Sequence, residues 1–193
     1  SEPFLVYVND SIVVNVTATE DTICVGGEVT MTAHLNDWNA DQLVYQWSDA
    51  NGIIPGATDL NYTKVIDNDG THTFSFTATQ LTSSCTATGS VNVEVVNDPV
   101  INNITLDVYE ICDGRQVTIT ADATIPAGVG EPVYTWYRNG DLIEGVTAAS
   151  FTESPLAVDG DATPYVYSAY VTNPASGCQS VIVDAEPLTV LAN

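Results

Sequence analysis

The sequence predicts an all-β protein made of two tandem β-sandwich domains, and three observations lead there. The first is size: 193 residues suffice for two domains of about 100 residues, each able to bury its own core. The second is an internal repeat. Ile23-Cys24-Val25-Gly26-Gly27-Glu28-Val29-Thr30-Met31-Thr32-Ala33 matches Ile111-Cys112-Asp113-Gly114-Arg115-Gln116-Val117-Thr118-Ile119-Thr120-Ala121 at an offset of 88. Val44-Tyr45-Gln46-Trp47 matches Val133-Tyr134-Thr135-Trp136 at 89, and Cys85 matches Cys178 at 93. The third is period-2 alternation of apolar and polar residues, with no segment of helical period.

The elements follow in chain order. Val29, Met31, Ala33 and Leu35 share one face of a strand, opposite Glu28, Thr30, Thr32 and His34; Val117, Ile119, Ala121 and Ala123 repeat that face. Tyr45 and Trp47, then Tyr134 and Trp136, point inward on the next strand of each copy. Phe74, Phe76 and Ala78 form a later inward face, matched by Tyr167, Ala169 and Val171, and Val91, Val93 and Val95 close the first copy. Asn51-Gly52, Pro55-Gly56, Asp69-Gly70, Asn139-Gly140 and Asp159-Gly160 supply the turns between these runs. Residues 9–97 are read as the first domain and 98–193 as the second. Residues 1–8 are read as the last strand of a preceding repeat, or else the first strand of domain one. Glu2-Pro3-Phe4-Leu5-Val6 resembles Glu186-Pro187-Leu188-Thr189-Val190, so the chain reads as an excerpt from a longer, quasi-linear array.

A Trp on the third strand between two flanking Cys is the pattern of an immunoglobulin-like (Ig-like) sandwich. Two similarly placed Cys in each copy predict one disulfide per domain, pairing Cys24 with Cys85 and Cys112 with Cys178 in an oxidising compartment. Because these Cys precede strand B and follow strand F, the bond is expected to staple loops at one end. Closing loops of about 60 residues would stabilise each domain by about 4 kcal/mol in the chain-entropy model.

Three stretches together, Ile-Cys-x-Gly…Val-Thr-x-Thr-Ala, Tyr134-Thr135-Trp136-Tyr137-Arg138-Asn139-Gly140-Asp141-Leu142-Ile143-Glu144-Gly145 and Val171-Thr172-Asn173-Pro174-Ala175-Ser176-Gly177-Cys178, resemble the Ig-like/PKD-like tandem repeats of large Bacteroidota cell-surface proteins. Residues 111–178 carry the resemblance best and 23–85 a looser version. The resemblance implies a type IX-secreted adhesin of the gliding-motility kind, forming a cell-surface stalk or adhesive filament, often acidic and calcium-associated.

Charge narrows the partners. Twenty-five acidic residues against Lys64, Arg115 and Arg138 leave a net charge of −22, which disfavours nucleic acid and anionic lipid. No run of 18 apolar residues exists to insert into a membrane. The expected neighbours are other repeats of the same chain and a surface polysaccharide or protein ligand, at the extracellular face of a bacterial cell.

Candidate sites are few. Asp67-Asn68-Asp69-Gly70-Thr71 and Asp159-Gly160-Asp161-Ala162-Thr163 place paired carboxylates in tight loops, as hard-oxygen ligands for Ca²⁺ require; an Asx-type turn at the E–F corner explains them equally, with His72 where a corner Tyr would sit. Asn9-Asp10 and Asn97-Asp98-Pro99 offer junction carboxylates, with Glu20, Asp21 and Glu110 nearby in sequence; the plain reading is a polar linker. Asn15, Asn61 and Asn103 open N-glycosylation sequons, and Asp10-Ser11-Ile12 and Asp21-Thr22-Ile23 fit a short O-glycosylation pattern. Trp38 has no counterpart in the second copy, and Tyr137 and Tyr170 face outward, so these three are the candidate ligand-binding aromatics. With two His, at 34 and 72, no nucleophile elbow and no phosphate loop, the sequence supports no catalytic residue and no enzyme. The alternative function is a carbohydrate- or protein-binding accessory module of a secreted enzyme.

Overall fold

In the computed structural model the described residues are 11–36, 42–126, 131–158 and 162–192. The chain divides at Val95–Val96 into two compact units, and every regular element among the described residues is a strand.

Unit one contains β1 (Val14–Ala18), β2 (Thr22–Cys24), β3 (Gly27–Leu35), β4 (Leu43–Asp49), β5 (Gly52–Ile53), β6 (Asn61–Ile66), β7 (Gly70–Gln80) and β8 (Thr86–Val96). They form two sheets, ordered β1-β3-β6 and β2-β8-β7-β4-β5. The alternation that names the inward face of β3 is realised: Val29 and Met31 are fully buried and Ala33 nearly so, while Glu28 and His34 are exposed. Trp47, Phe74, Phe76, Ala78, Val93 and Val95 complete the core from the facing sheet.

Unit two contains β9 (Val100–Leu106), β10 (Glu110–Cys112), β11 (Val117–Thr124), β12 (Val133–Arg138), β13 (Asp141–Ile143), β14 (Ser150–Glu153), β15 (Thr163–Tyr165), β16 (Tyr167–Thr172), β17 (Val183–Asp184) and β18 (Leu188–Leu191). The sheet β14-β11-β9 faces strands ordered β13-β12-β16-β17, with β10-β18-β15 as a third set. The β12–β13 turn shows how local sequence fixes a reversal. Asn139 and Gly140 have φ of 52° and 87°, the double left-handed geometry of a type I′ turn, which Asn-Gly accepts at little cost.

Both cores are organised around the repeated Trp. Trp47 Nε1 donates to the Asp59 carbonyl at 2.8 Å, and Trp136 Nε1 to the Ala148 carbonyl at 2.9 Å. Each bond satisfies a buried donor and ties the strand to the loop that follows it. The edge-on aromatic partner differs between the copies. The Trp47 ring meets Phe76 edge-on at 5.0 Å, whereas Trp136 meets Phe151 edge-on at 5.0 Å, because Ala169 stands where unit one has Phe76. From the opposite sheet, Tyr62 meets the Trp47 ring at 6.1 Å at the position that Phe151 takes in unit two.

Candidate functional site

The cysteines depart from the expected pairing. Cys85 and Cys112 are exposed free thiols, so neither Cys24–Cys85 nor Cys112–Cys178 forms. One disulfide inside each domain is therefore not what forms, and unit geometry gives the reason. Directly after Cys24, the Gly26 N–H donates to the Ile66 carbonyl at 2.7 Å, beside the start of β7. Cys85 lies beyond the far end of that strand, where its carbonyl accepts from the Gln80 N–H at 2.8 Å. β7 is eleven residues long, so the two stand about 30 Å apart at the rise of an extended strand. A disulfide requires Cα atoms within about 7 Å. Unit two repeats the separation. Cys112 pairs in register with Leu191, whose neighbour Val190 pairs with Thr163, while the Cys178 carbonyl accepts from the Asn173 N–H at 2.8 Å. The expectation that both Cys sit at one end overlooked that the chain enters strand B at one end and leaves strand F at the other.

A corner clasp forms in both copies. His72 Nε2 lies 2.9 Å from the Asn68 carbonyl, and its equivalent at an offset of 93, Tyr165, donates its hydroxyl to the Leu156 carbonyl at 2.7 Å. Two different side chains thus clasp the chain just before strand F, as a tyrosine corner does. Asp67 and Asp69 are exposed and belong to no group of three converging His, Cys, Asp or Glu ligand atoms among the described residues. Asp98 is exposed beside the buried Pro99, and Glu20, Asp21 and Glu110 are also exposed. Residues 1–8, Asp10, Trp38, Asp159 and Asp161 lie outside the described residues. Asn15, Asn61 and Asn103 are exposed on β1, β6 and β9.

Tyr137 and Tyr170 come together. They stand on β12 and β16 as diagonal neighbours, since Tyr137 pairs with Ser168 and Thr135 with Tyr170. Their ring centroids are 6.4 Å apart with planes at 35°, and both are half-buried on the face opposite the core. Unit one carries Ser48 and Thr77 at the equivalent positions, so only unit two presents this aromatic surface.

Sequence reasoning missed a polar cluster beside the core of unit two. The buried Tyr167 hydroxyl donates to Glu153, and Arg138 Nη1 reaches both Glu153 oxygens at 3.3 Å. Burial, then the Glu153 bond, pushes the Tyr167 phenol well above its ordinary range. Burial also raises Tyr134, with Asp122 adding to it. In unit one the Asn51 N–H, with Lys64 at 3.3 Å, holds Asp49 below the usual carboxylate range. That pair borders a recess of about 210 Å³ which also meets His72 and Asp67; it is smaller than the ~300–1,000 Å³ of small-molecule sites.

No family model matches the chain, and no curated protein matches it. Solved structures do. Extracellular domains 3–5 of Drosophila OTK align with a TM-score of 0.52 at 13% identity, over 93% of this chain and 62% of that one. Fibronectin(III)-like modules of Clostridium thermocellum CbhA align at 0.48 and 12% identity, over 92% and 94%. Three N-terminal domains of the bacteriophage RB49 highly immunogenic outer capsid protein align at 0.46 and 15% identity, over 94% and 59%. The chain thus spans about three fifths of the OTK and phage chains. At 13% identity the OTK likeness shows the fold alone, in keeping with the paired sheets described above.

Proposed function

We propose that the chain is a non-catalytic repeat segment of a long extracellular surface adhesin, serving as a stalk or adhesive filament. The supporting observation is duplication of one framework: both units carry the same indole-to-carbonyl bond and the same corner clasp. A repeat whose units preserve their scaffold is suited to setting distance and bearing load, since each unit adds its own stability to the array. Labelling of intact producing cells with an antibody to this chain tests the reading. Signal on unbroken cells is expected; signal only after permeabilisation ends it.

A second reading, a carbohydrate-binding module, has one specific observation behind it: the Tyr137–Tyr170 pair, absent from unit one. Outward aromatic rings offer apolar faces on which sugar rings pack. A glycan array comparing the protein with a Tyr137→Ala/Tyr170→Ala variant decides it. A glycan bound by the protein and lost in the variant establishes the module, and identical profiles remove it.

A further inference from the structure

We propose that the outward face of the sheet β13-β12-β16-β17 in unit two binds a neutral oligosaccharide laid across its strands, with Tyr137 and Tyr170 as its platform and Asp184 as an acceptor at one end. This rests on the carbohydrate-binding reading and names the class of its ligand. Strand register places the site. Leu142 pairs with Tyr137, Tyr137 with Ser168, and Ser168 with Asp184, so one row of side chains crosses all four strands. At about 4.8 Å between strands the row spans about 14 Å, the length of a short oligosaccharide and too long for a single sugar. Tyr170 stands diagonal to Tyr137, with ring centroids 6.4 Å apart, and broadens the middle of the row.

The composition of the face selects the ligand. Leu142 and Ile182 are 55% and 57% exposed, one at each margin of the Tyr pair, so aliphatic carbon continues the platform on both sides. Exposed apolar surface grouped in this way marks a binding surface, and aromatic and aliphatic carbon packs on the C–H faces of sugar rings. Of the two acidic residues in these strands, Asp184 is exposed on this face, while Asp141 pairs with Arg138 on the opposite parity. Arg138, the one cation of these strands, is turned to Glu153. An ionised carboxylate accepts hydrogen bonds from hydroxyl groups, as a sugar offers them. With a net charge of −22 on the chain, a uronate, a sulfated glycan or a second copy of this protein meets repulsion there. A neutral glycan meets none.

Unit one is an internal control built on the same frame. Ser48, Thr77 and Ser90 hold the positions of Tyr137, Tyr170 and Asp184, so its equivalent face has neither the rings nor the carboxylate.

Isothermal titration of the 193-residue chain at low salt tests the proposal. The probes are neutral hexasaccharides of gluco-, manno-, galacto- and xylo-configuration, and oligogalacturonate as the anionic counterpart. At least one neutral probe is expected to bind at least tenfold more tightly than oligogalacturonate. Leu142→Asp and Ile182→Asp each put a charge on an exposed margin without touching the core, and each should abolish binding. Thr77→Asp, which puts the same charge on unit one, should leave it unchanged, and thermal unfolding checks that all three variants stay folded. Asp184→Asn should narrow the preference over oligogalacturonate, because it removes the repelling charge; an unchanged preference overturns the role of Asp184. Equal or tighter binding of oligogalacturonate overturns the neutral class while leaving the carbohydrate-binding reading standing. Binding that survives both margin variants places the site elsewhere and overturns the proposal. No binding of any saccharide ends the proposal and that reading together. A dimer in sedimentation that is lost in Leu142→Asp gives the face to a second copy, and that too overturns the proposal.

Discussion

Tyr167 and its counterpart Phe74 occupy equivalent core positions, one titratable and the other not, and that difference separates the two units chemically. The Tyr167 phenol is buried and donates to Glu153, so its neutral form is favoured in the folded state and its pKa is raised. A raised phenol contributes stability that is complete below the unfolded value of about 10 and is lost as pH climbs above it. Unit two is therefore expected to lose about 1.4 kcal/mol for each pH unit above 10 from this group. Calorimetry of wild type and Tyr167→Phe at pH 8 and pH 11 checks it: the stability gap between the two must narrow at pH 11. A gap independent of pH refutes the assignment. Tyr45 gives a second test. Its hydroxyl is buried with no hydrogen-bond partner among the described residues, and such a group costs about 1–3 kcal/mol. Tyr45→Phe should leave unit one equally or more stable in urea titration; a loss above about 1 kcal/mol would mean that the hydroxyl is bonded in solution.

At the scale of elements, Gly89 in the middle of β8 marks where β1 crosses close. A Cβ there would lie 2.8 Å from Val14 Cγ1 and 2.9 Å from the Val14 carbonyl oxygen. Backbone cannot yield as a flexible side chain does, so Gly89→Ala should cost about 1–3 kcal/mol. Chemical denaturation of unit one measures it, with Gly56→Ala as a contrast, since nothing lies within 4 Å of a Cβ there and only its positive φ of 77° opposes the change. Both faces of β3 and β11 were legible in the sequence because period-2 alternation reports burial directly. The repeated Trp was legible because its spacing survives in both copies. What the sequence could not show is direction: the cysteine positions relative to strands B and F read correctly, yet their placement at opposite ends depends on how the strands run in three dimensions. The Glu153–Arg138–Tyr167 cluster was equally hidden, since β14 and β12 lie in different sheets and no local spacing brings them together. Ser48 and Thr77 opposite the Tyr137–Tyr170 pair were readable from the offsets, but the 6.4 Å ring approach required the register of β12 on β16.

For the whole molecule, charge outweighs any single contact. A net charge of −22 on a chain of this size sets carboxylates against one another in the folded state. Only two ion pairs, Lys64–Asp49 and Arg138–Glu153, offset it among the described residues. Folding concentrates that charge, so its repulsion destabilises the compact state relative to the expanded one. Salt shortens the Debye length from about 30 Å at 0.01 M to about 10 Å at 0.1 M, so NaCl should stabilise both units. A gain of about 1 kcal/mol raises the Tm of a domain this size by about 4–8 °C, which thermal unfolding between 10 and 500 mM NaCl resolves. Calcium must be judged against that baseline. Asp67 and Asp69 are exposed and join no group of three converging His, Cys, Asp or Glu ligand atoms among the described residues, so CaCl₂ at matched ionic strength should raise the Tm of unit one no further than NaCl does, whether or not EDTA was applied first. A calcium-specific rise in unit one would require native-state metal binding, and Asp67→Asn/Asp69→Asn would have to abolish it for these loops to be its seat. Should NaCl give no stabilisation at all, the acidic surface would be carried without cost to folding, and self-repulsion would not be the force that a saline setting relieves.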